Sequence, residues 1–273
     1  MDETMPLLPK VKEEMLKGSS LNELTVNLIA VGFGTGLLSL PWGVAGASAS
    51  VAIVLNAIVL VLTAWTIKVI IEAGERYQKF DLGSLLECIP GPAGQAAKYF
   101  INVSIATTSI LALIGYMIVI YDALQPMLPT SGFFSQRSHI ILAAGACVVP
   151  VCFLKQEDLA FTSMLCFATH IYLSGLLSYL VVGAYETSSL SSDVCLLGFS
   201  FGGMTYFSMI MYSVSIQMCV LPMYQELRGR SPALFCTALT RAFCVLFVFF
   251  SFFATASYAL YGGSVTGDAW REE

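Results

Sequence analysis

The chain has 273 residues, of which 57% are hydrophobic and 11% are charged, and its mean hydropathy is +0.78. A soluble domain carries about 25% charged residues, so this composition excludes an ordinary soluble protein and indicates a polytopic membrane protein. The net charge of −5 says little about partners, because the orientation of a membrane protein depends on where Lys and Arg lie along the chain.

The apolar pattern predicts about seven membrane-spanning helices, since one span needs about 20 apolar residues. A polar tail over residues 1–20 precedes them. We therefore predict an all-α, polytopic membrane protein in which the fourth segment is the shortest. The predicted segments cover residues 21–42, 47–72, 96–121, 138–154, 159–185, 198–225 and 233–262.

Lysine and arginine are distributed unevenly between the two ends of these segments. With a cytoplasmic N-terminus, all of the 13 Lys and Arg residues except Arg137 and Arg271 lie on the inner side or reach it. The excess of Lys and Arg marks the cytoplasmic side, so we predict a multi-pass integral membrane protein with its N-terminus inside. This orientation disfavours a seven-helix receptor, whose N-terminus is outside. Residues 3–8, ETMPLL, are similar to an acidic dileucine sorting signal, so the plasma membrane and an endolysosomal or vacuolar membrane both stay open as locations.

A glycine-rich break interrupts the first segment, where residues 32–41 read GFGTGLLSLP. Unwound chain at membrane depth is tolerated only where it is buried in protein or lines a cavity. Its free N–H and C=O groups are what membrane transporters use to bind zwitterions and ions. The alternative is close helix packing, because Gly32 and Gly36 form a GxxxG pair.

The sixth segment repeats this pattern, with SVSIQ at residues 213–217 followed by VLP at residues 220–222. Both segments place a small or polar stretch about five residues before a Leu-Pro pair, and with the predicted topology they run in opposite directions. Inverted-repeat transporters bind their substrate where two such broken helices meet near the midplane. The N-termini of the half-helices would bind a substrate carboxylate, and the unwound carbonyls would bind its ammonium group.

These motifs resemble the amino acid/auxin permease family of the amino acid–polyamine–organocation superfamily. GTGLLSLP at residues 34–41 is similar to the first-helix signature of the family, especially of its proton-coupled members. VLPMYQEL at residues 220–227 is similar to the sixth helix and its cytoplasmic exit, with supporting similarity at residues 115–122 and 258–263. The resemblance covers residues 21 to about 265. It implies a LeuT-like fold of two inverted five-helix repeats that transports amino acids.

On this resemblance, residues 21–185 would form the first repeat and residues 186–197 an extracellular or lumenal loop. Residues 198–262 would supply the first two helices of the second repeat, and residues 263–273 a C-terminal tail. The expected LeuT-like fold is therefore incomplete in this chain. We expect either a truncated product or a chain that oligomerises to cover the gap.

The resemblance also implies a substrate site between the first and sixth helices. Residues 34–36 would bind the amino acid carboxylate, residues 213–217 would line the opposite wall, and a tyrosine of the third helix would close the site. A neutral substrate with a small or medium side chain is expected ahead of a charged one, because no clearly buried acid or base faces the predicted pocket, although His170 keeps a charged substrate open. The substrate-binding residues expected in this way are Gly32, Gly34, Thr35, Gly36, Tyr116, Ser213, Ser215 and Gln217.

The coupling ion is predicted from two positions. Sodium-coupled members of the family carry an asparagine where this chain has Ala30, and Asn27 lies almost one turn earlier. A proton-coupled or uncoupled mechanism is therefore favoured over a sodium-coupled one. His170 is the candidate proton carrier, because it lies within the fifth segment and histidine titrates near neutral pH. The alternative is a neutral structural histidine that is hydrogen-bonded to Thr169 or Ser174.

The chain has no P-loop, HExxH, GxSxG or CxxC motif, and His139 and His170 are its two histidines. No basic stripe of the kind that nucleic acid requires is present. We expect no enzyme activity, no cofactor, no metal site and no nucleic-acid partner. The expected partners are an amino acid, the lipid bilayer and H⁺ ahead of Na⁺, with the oligomeric state open. A non-transporting sensor or scaffold is the alternative class.

Overall fold

The computed structural model describes residues 18–33, 36–127, 136–148, 160–191, 194–198 and 202–262. Every regular element in these ranges is helical, apart from one isolated backbone bridge, so the predicted all-α class is confirmed. A short 3₁₀ turn, Gln125–Met127, follows the fifth helix. The α-helices are α1 (Leu21–Gly32), α2 (Gly36–Ala47), α3 (Ala49–Tyr77), α4 (Leu82–Leu86), α5 (Pro92–Leu124), α6 (Arg137–Val148), α7 (Ala160–Glu186), α8 (Gly202–Ser213), α9 (Gln217–Gln225) and α10 (Pro232–Tyr261).

Five stretches of the described chain are long and apolar enough to cross a membrane, which confirms the polytopic membrane class. They correspond to the second, third, fifth, sixth and seventh predicted segments and cover Ala49–Tyr77, Pro92–Met127, Thr162–Glu186, Gly202–Gln225 and Pro232–Tyr261.

The other two predicted segments differ from a simple span. The first is split into α1 and α2, each of 12 residues. Of the fourth, the described residues contain the 12-residue α6, which rises about 18 Å, whereas a hydrocarbon core is about 30 Å thick. Residues 149–154, the end of the predicted fourth segment, lie outside the described residues. The total of seven spans therefore stays a prediction.

The chain divides into two compact units. One consists of Met1–Asp81 and Ala160–Glu273, and the other of Leu82–Leu159. In the smaller unit, α4 and α6 both pack against α5, and Lys98 forms an ion pair with Glu87 at 2.7 Å. In the larger unit, α10 is the central helix and packs against α1, α2, α3 and α7. Both interrupted helices belong to this larger unit.

Local sequence signals set the ends of the helices that carry the candidate site. Ser20 and Glu23 form a capping box at the start of α1: the Ser20 N–H donates to Glu23 Oε2 at 2.7 Å, and the Glu23 N–H donates to Ser20 Oγ at 3.3 Å. Ser231 caps α10 by accepting from the Leu234 N–H at 3.2 Å, and Pro232 occupies the first helical turn. These caps satisfy N–H groups that a helix start otherwise leaves without a partner.

Candidate functional site

The first membrane segment is broken at the predicted place. Helix α1 ends at Gly32 and α2 begins at Gly36. The last turn of α1 is closed by the Phe33 N–H, which donates to the carbonyl of Ile29 at 2.9 Å. Gly34 and Thr35, two of the predicted carboxylate-binding residues, lie outside the described residues.

The sixth segment is also broken at the predicted place, between Ser213 and Gln217. The Ser215 N–H donates to the Tyr212 carbonyl at 3.3 Å, and the Ile216 N–H donates to the Val214 carbonyl at 2.9 Å. Neither of these bonds follows the i→i−4 pattern of an α-helix. The backbone therefore leaves the helical path over three residues before α9 begins.

The two breaks lie at the same depth in the larger unit. Helices α2 and α8 pack side by side, and a side chain at Gly43 would touch Tyr206 and Met209. They run antiparallel, because Ser48, which follows α2, donates through its hydroxyl to the carbonyl of Gly198, which precedes α8, at 2.8 Å. Gly43 lies about 10 Å along α2 from the start of that helix, and Tyr206 about 10 Å along α8 from its end. The start of α2 and the end of α8 are therefore level with each other.

A second connection fixes the other half of each broken helix. Ser19, just before α1, forms a backbone bridge with Leu227, just after α9. The Ser19 N–H donates to the Glu226 carbonyl at 2.9 Å, and the Arg228 N–H donates to the Ser19 carbonyl at 3.1 Å. From this bridge α1 rises about 18 Å to its end, and the path back along α9 to its start is about 14 Å. Both halves place the breaks at comparable depth.

This arrangement brings four helix ends to one level. The starts of α2 and α9 are helix N-termini, whose N–H groups give them a partial positive charge. The ends of α1 and α8 are C-termini, whose carbonyls give them a partial negative charge. A zwitterion whose carboxylate and ammonium lie a few ångströms apart matches such a set of opposite ends.

The three side chains predicted to bind substrate in the sixth segment, Ser213, Ser215 and Gln217, differ in their exposure at this depth. The hydroxyl of Ser213 is buried and donates to the Met209 carbonyl of its own helix at 2.9 Å. Ser215 is exposed within the break, and Gln217 is partly exposed at the first position of α9. These two side chains are the better placed of the three to reach a ligand.

Gly32 lies in a helix-packing contact, and Tyr116 lies on a helix of the smaller unit. A Cβ at Gly32 would lie 2.5 Å from Cδ1 of Leu246 in α10, so this glycine permits close packing of α1 on α10. That contact favours the packing interpretation for Gly32. Tyr116 lies on α5, in the smaller unit, and its role in closing a site stays a prediction.

Phe33, the residue that follows α1, is held by an aromatic cluster that the sequence did not predict. It is 6% exposed, and its ring stacks on that of His170 with centroids 4.1 Å apart and planes 7° apart. Phe249 lies edge-on at 5.1 Å and Phe250 at 6.3 Å, both from α10, and Phe167 of α7 lies at 6.4 Å. Phe33, at the first break, therefore packs against both α7 and α10.

His170 is consequently close to the break, but its hydrogen bond is local. Its Nδ1 lies 2.7 Å from the Cys166 carbonyl, four residues earlier on α7. A carbonyl only accepts, so Nδ1 carries the proton and Nε2 is the lone-pair nitrogen of the neutral ring. The partner is neither Thr169, whose hydroxyl donates to the Leu165 carbonyl, nor Ser174, whose hydroxyl has no partner among the described residues.

A comparison with models of known protein families identifies the family of the chain. The family model described as transmembrane amino acid transporter protein matches residues 17–271. The chain therefore belongs to the transmembrane amino acid transporter family, as the resemblance in its first and sixth segments indicated. This is a family of transporters and not of enzymes, so the expected amino acid substrate and bilayer are supported at that level. Neither the curated proteins nor the solved structures gave a significant match.

Two groups of residues near the broken helices were missed by sequence reasoning. Phe33 lies inside the glycine-rich motif, yet one aromatic residue in an apolar segment gives no signal of its partners. Glu75 and Asn56 of α3 hydrogen-bond to tyrosines of α9 and α8. A signal for these two was available, since polar residues within an apolar span face protein or water-filled cavities more often than lipid.

Proposed function

We propose that this chain transports neutral amino acids by alternating access, with the substrate held between the two helix breaks. The observation that carries the proposal is that four helix ends of the larger unit, two N-termini and two C-termini, lie at the same depth. The N–H groups at the starts of α2 and α9 would bind the carboxylate, and the carbonyls at the ends of α1 and α8 would bind the ammonium group. Membership of the transporter family supports the same substrate class.

The proposal includes a LeuT-like inverted repeat and a cytoplasmic N-terminus. The antiparallel packing of α2 on α8, with each broken helix interrupted at the same level, is what an in-plane pseudo-twofold axis would produce. The bias of Lys and Arg toward one side supports the orientation. The plasma membrane or an endolysosomal or vacuolar membrane is the proposed location, the latter supported by the dileucine-like residues 3–8.

Uptake into liposomes tests the proposal directly. The purified chain is reconstituted and the initial uptake of radiolabelled neutral amino acids is measured with an inward proton gradient, with an inward sodium gradient and with neither. We expect saturable uptake that excess unlabelled neutral amino acid suppresses. Saturable binding without uptake under every gradient would indicate a sensor, and absence of both would refute the substrate class.

The proposed mechanism is proton-coupled or uncoupled, and His170 decides between the two. Its ring stacks on Phe33 at the edge of the break, and its Nε2 is free of protein partners within the described residues. Protonation there would place a positive charge beside the C-terminal end of α1, which favours cations. A proton taken up at His170 would therefore be coupled to the occupancy of the break.

We expect His170→Gln to remove the stimulation of uptake by a proton gradient while leaving exchange of labelled for unlabelled amino acid in place. Glutamine keeps a hydrogen-bond donor of similar reach and cannot take up a proton in this range. The matched control is His139→Gln on α6, which should keep the stimulation. Equal stimulation in both variants would assign His170 a purely structural role, and loss of exchange in His170→Gln would assign it a role in binding.

A further inference from the structure

The two halves of the sixth segment, α8 and α9, are each hydrogen-bonded to the same uninterrupted helix, α3. We infer that α3 acts as a splint: it holds the end of α8 and the start of α9 at a fixed separation, so that the break is a preformed binding surface and not a hinge. Asn56 and Glu75 of α3 are then positioning residues. The inference rests on the proposed function only for its relevance to substrate, because the separation exists without substrate.

The first point of attachment joins α8 to α3 and α10. The hydroxyl of Tyr206 donates to Asn56 Oδ1 at 2.8 Å, and Asn56 Nδ2 donates to Ser251 Oγ at 3.3 Å. Tyr206 and Asn56 are both 0% exposed. The amide of Asn56 therefore uses its oxygen and its nitrogen on two different helices. A rotation of α8 away from α3 would leave these buried polar groups unpaired, which is unfavourable because each would lose its hydrogen bond without gaining one to water.

The second point of attachment joins α9 to the opposite end of α3. The hydroxyl of Tyr224 donates to Glu75 Oε2 at 2.9 Å, and Arg230 Nε lies 3.3 Å from the same oxygen. The Arg230 guanidinium also lies over the rings of Phe80, at 4.3 Å, and Tyr224, at 5.7 Å. Tyr224 is 0% exposed, so its hydroxyl has exchanged water for the Glu75 carboxylate.

Close backbone packing strengthens this second attachment. A Cβ at Gly74 would lie 2.5 Å from Cδ2 of Leu221 on α9. The side chain of Leu221 therefore packs directly on the α3 backbone, and a larger residue at Gly74 would require this leucine to move. The packing restricts tilting of α9, whereas the Tyr224–Glu75 hydrogen bond restricts sliding along α3.

The geometry of α3 transmits one attachment to the other. Asn56 and Glu75 lie about 28 Å apart along the helix axis, one on each side of the level of the break. Helix α3 runs without interruption over Ala49–Tyr77. The distance between Asn56 and Glu75 therefore varies by less than the length of a hydrogen bond. A substrate that enters the break meets N–H and C=O groups that are already in place, which lowers the ordering cost of binding.

Pulsed electron–electron double resonance between two spin labels measures the separation of α8 and α9. Genetically encoded spin-label amino acids are placed at Met204 on α8 and Gln225 on α9, which are both exposed, so the native cysteines stay unchanged. The axial rise between the two sites is about 31 Å, within the range of the method. We expect one narrow distance distribution in the reconstituted chain, unchanged when amino acid is added.

The double variant Tyr206→Phe/Tyr224→Phe removes one hydroxyl at each attachment and should broaden the distribution. Tyr179→Phe, on an exposed residue of α7, is the matched loss of a hydroxyl and should leave it narrow. We expect amino acid binding by the double variant to weaken about tenfold, as when the competent state falls to about a tenth of the population. If the double variant does not fold, Tyr224→Phe alone tests the second attachment by the same broadening.

Two outcomes overturn the inference: a narrow distribution in the folded variant, or a wild-type distance that changes when amino acid binds. A different result defines failure of the proposed function. If the wild type neither binds nor takes up amino acids while the variant broadens the distance, the splint stands and the substrate class is wrong.

Discussion

Gly36→Trp should reduce amino acid uptake to the level of empty liposomes. Gly36 is the first residue of α2, where the proposed carboxylate interacts with N–H groups of the helix start. An indole at this position competes with the substrate for the space beside those groups. Contacts at Gly43 with Tyr206 and at the bridge of Ser19 with Leu227 hold the larger unit together away from this position, so we expect the variant to be recovered from the membrane.

Uptake of labelled amino acid at equal protein content is the measurement, and Gly175→Trp is its control. Gly175 lies on α7, where an added Cβ meets nothing within 4 Å, so the same change of size should be tolerated there. Wild-type uptake by the Gly36 variant would mean that the start of α2 does not contact the substrate. Loss of uptake in both variants would mean that tryptophan disturbs the fold at either site.

Phe33→Ala should lower the free energy of unfolding by about 3 kcal/mol or more, the range found for loss of a buried phenylalanine. The ring is 6% exposed and meets four other rings from α7 and α10. Water exclusion does not drive helix association within lipid, so the loss comes mainly from packing around the cavity left behind. The stacked face of His170 would lose its partner at the same time.

Thermal or denaturant unfolding in detergent micelles measures this loss. The control is Phe100→Ala on α5, where the side chain is 72% exposed and a change within about 0.5 kcal/mol is expected. Equal stability of the two variants would show that the cluster around Phe33 does not hold α1 in place.

The places of the two breaks were predictable from short sequence patterns. The first break coincides with the glycine-rich GFGTG run, where the backbone is least restricted, and the second falls in the small and polar SVSIQ run. The two prolines that follow these runs, Pro41 and Pro222, lie within α2 and α9 and not at the breaks. The start of α1 is also indicated by the sequence, because Ser20 and Glu23 have the spacing of a capping box. Such signals act over a few residues, so one sequence is enough to detect them.

The contacts that position the breaks were not predictable from the sequence. Tyr206 and Asn56 are 150 residues apart in the chain, and no periodicity in a uniformly apolar sequence identifies which tyrosine meets which asparagine. The partner of His170 shows the same limit at short range. Two hydroxyl residues were candidates, whereas the structure uses the carbonyl of Cys166 one turn earlier.

The bridge between Ser19 and Leu227 has a consequence for the biogenesis of the protein. The first helix is synthesised early, yet the backbone groups that receive its N-terminal end emerge about 200 residues later. At about 5–20 residues per second, translation takes roughly 10–40 s to reach them. Throughout that interval the interrupted first segment sits in the insertion machinery or the bilayer without its partner. Insertion of this chain should therefore depend on factors that shield a polar break in a nascent transmembrane segment until the sixth segment arrives.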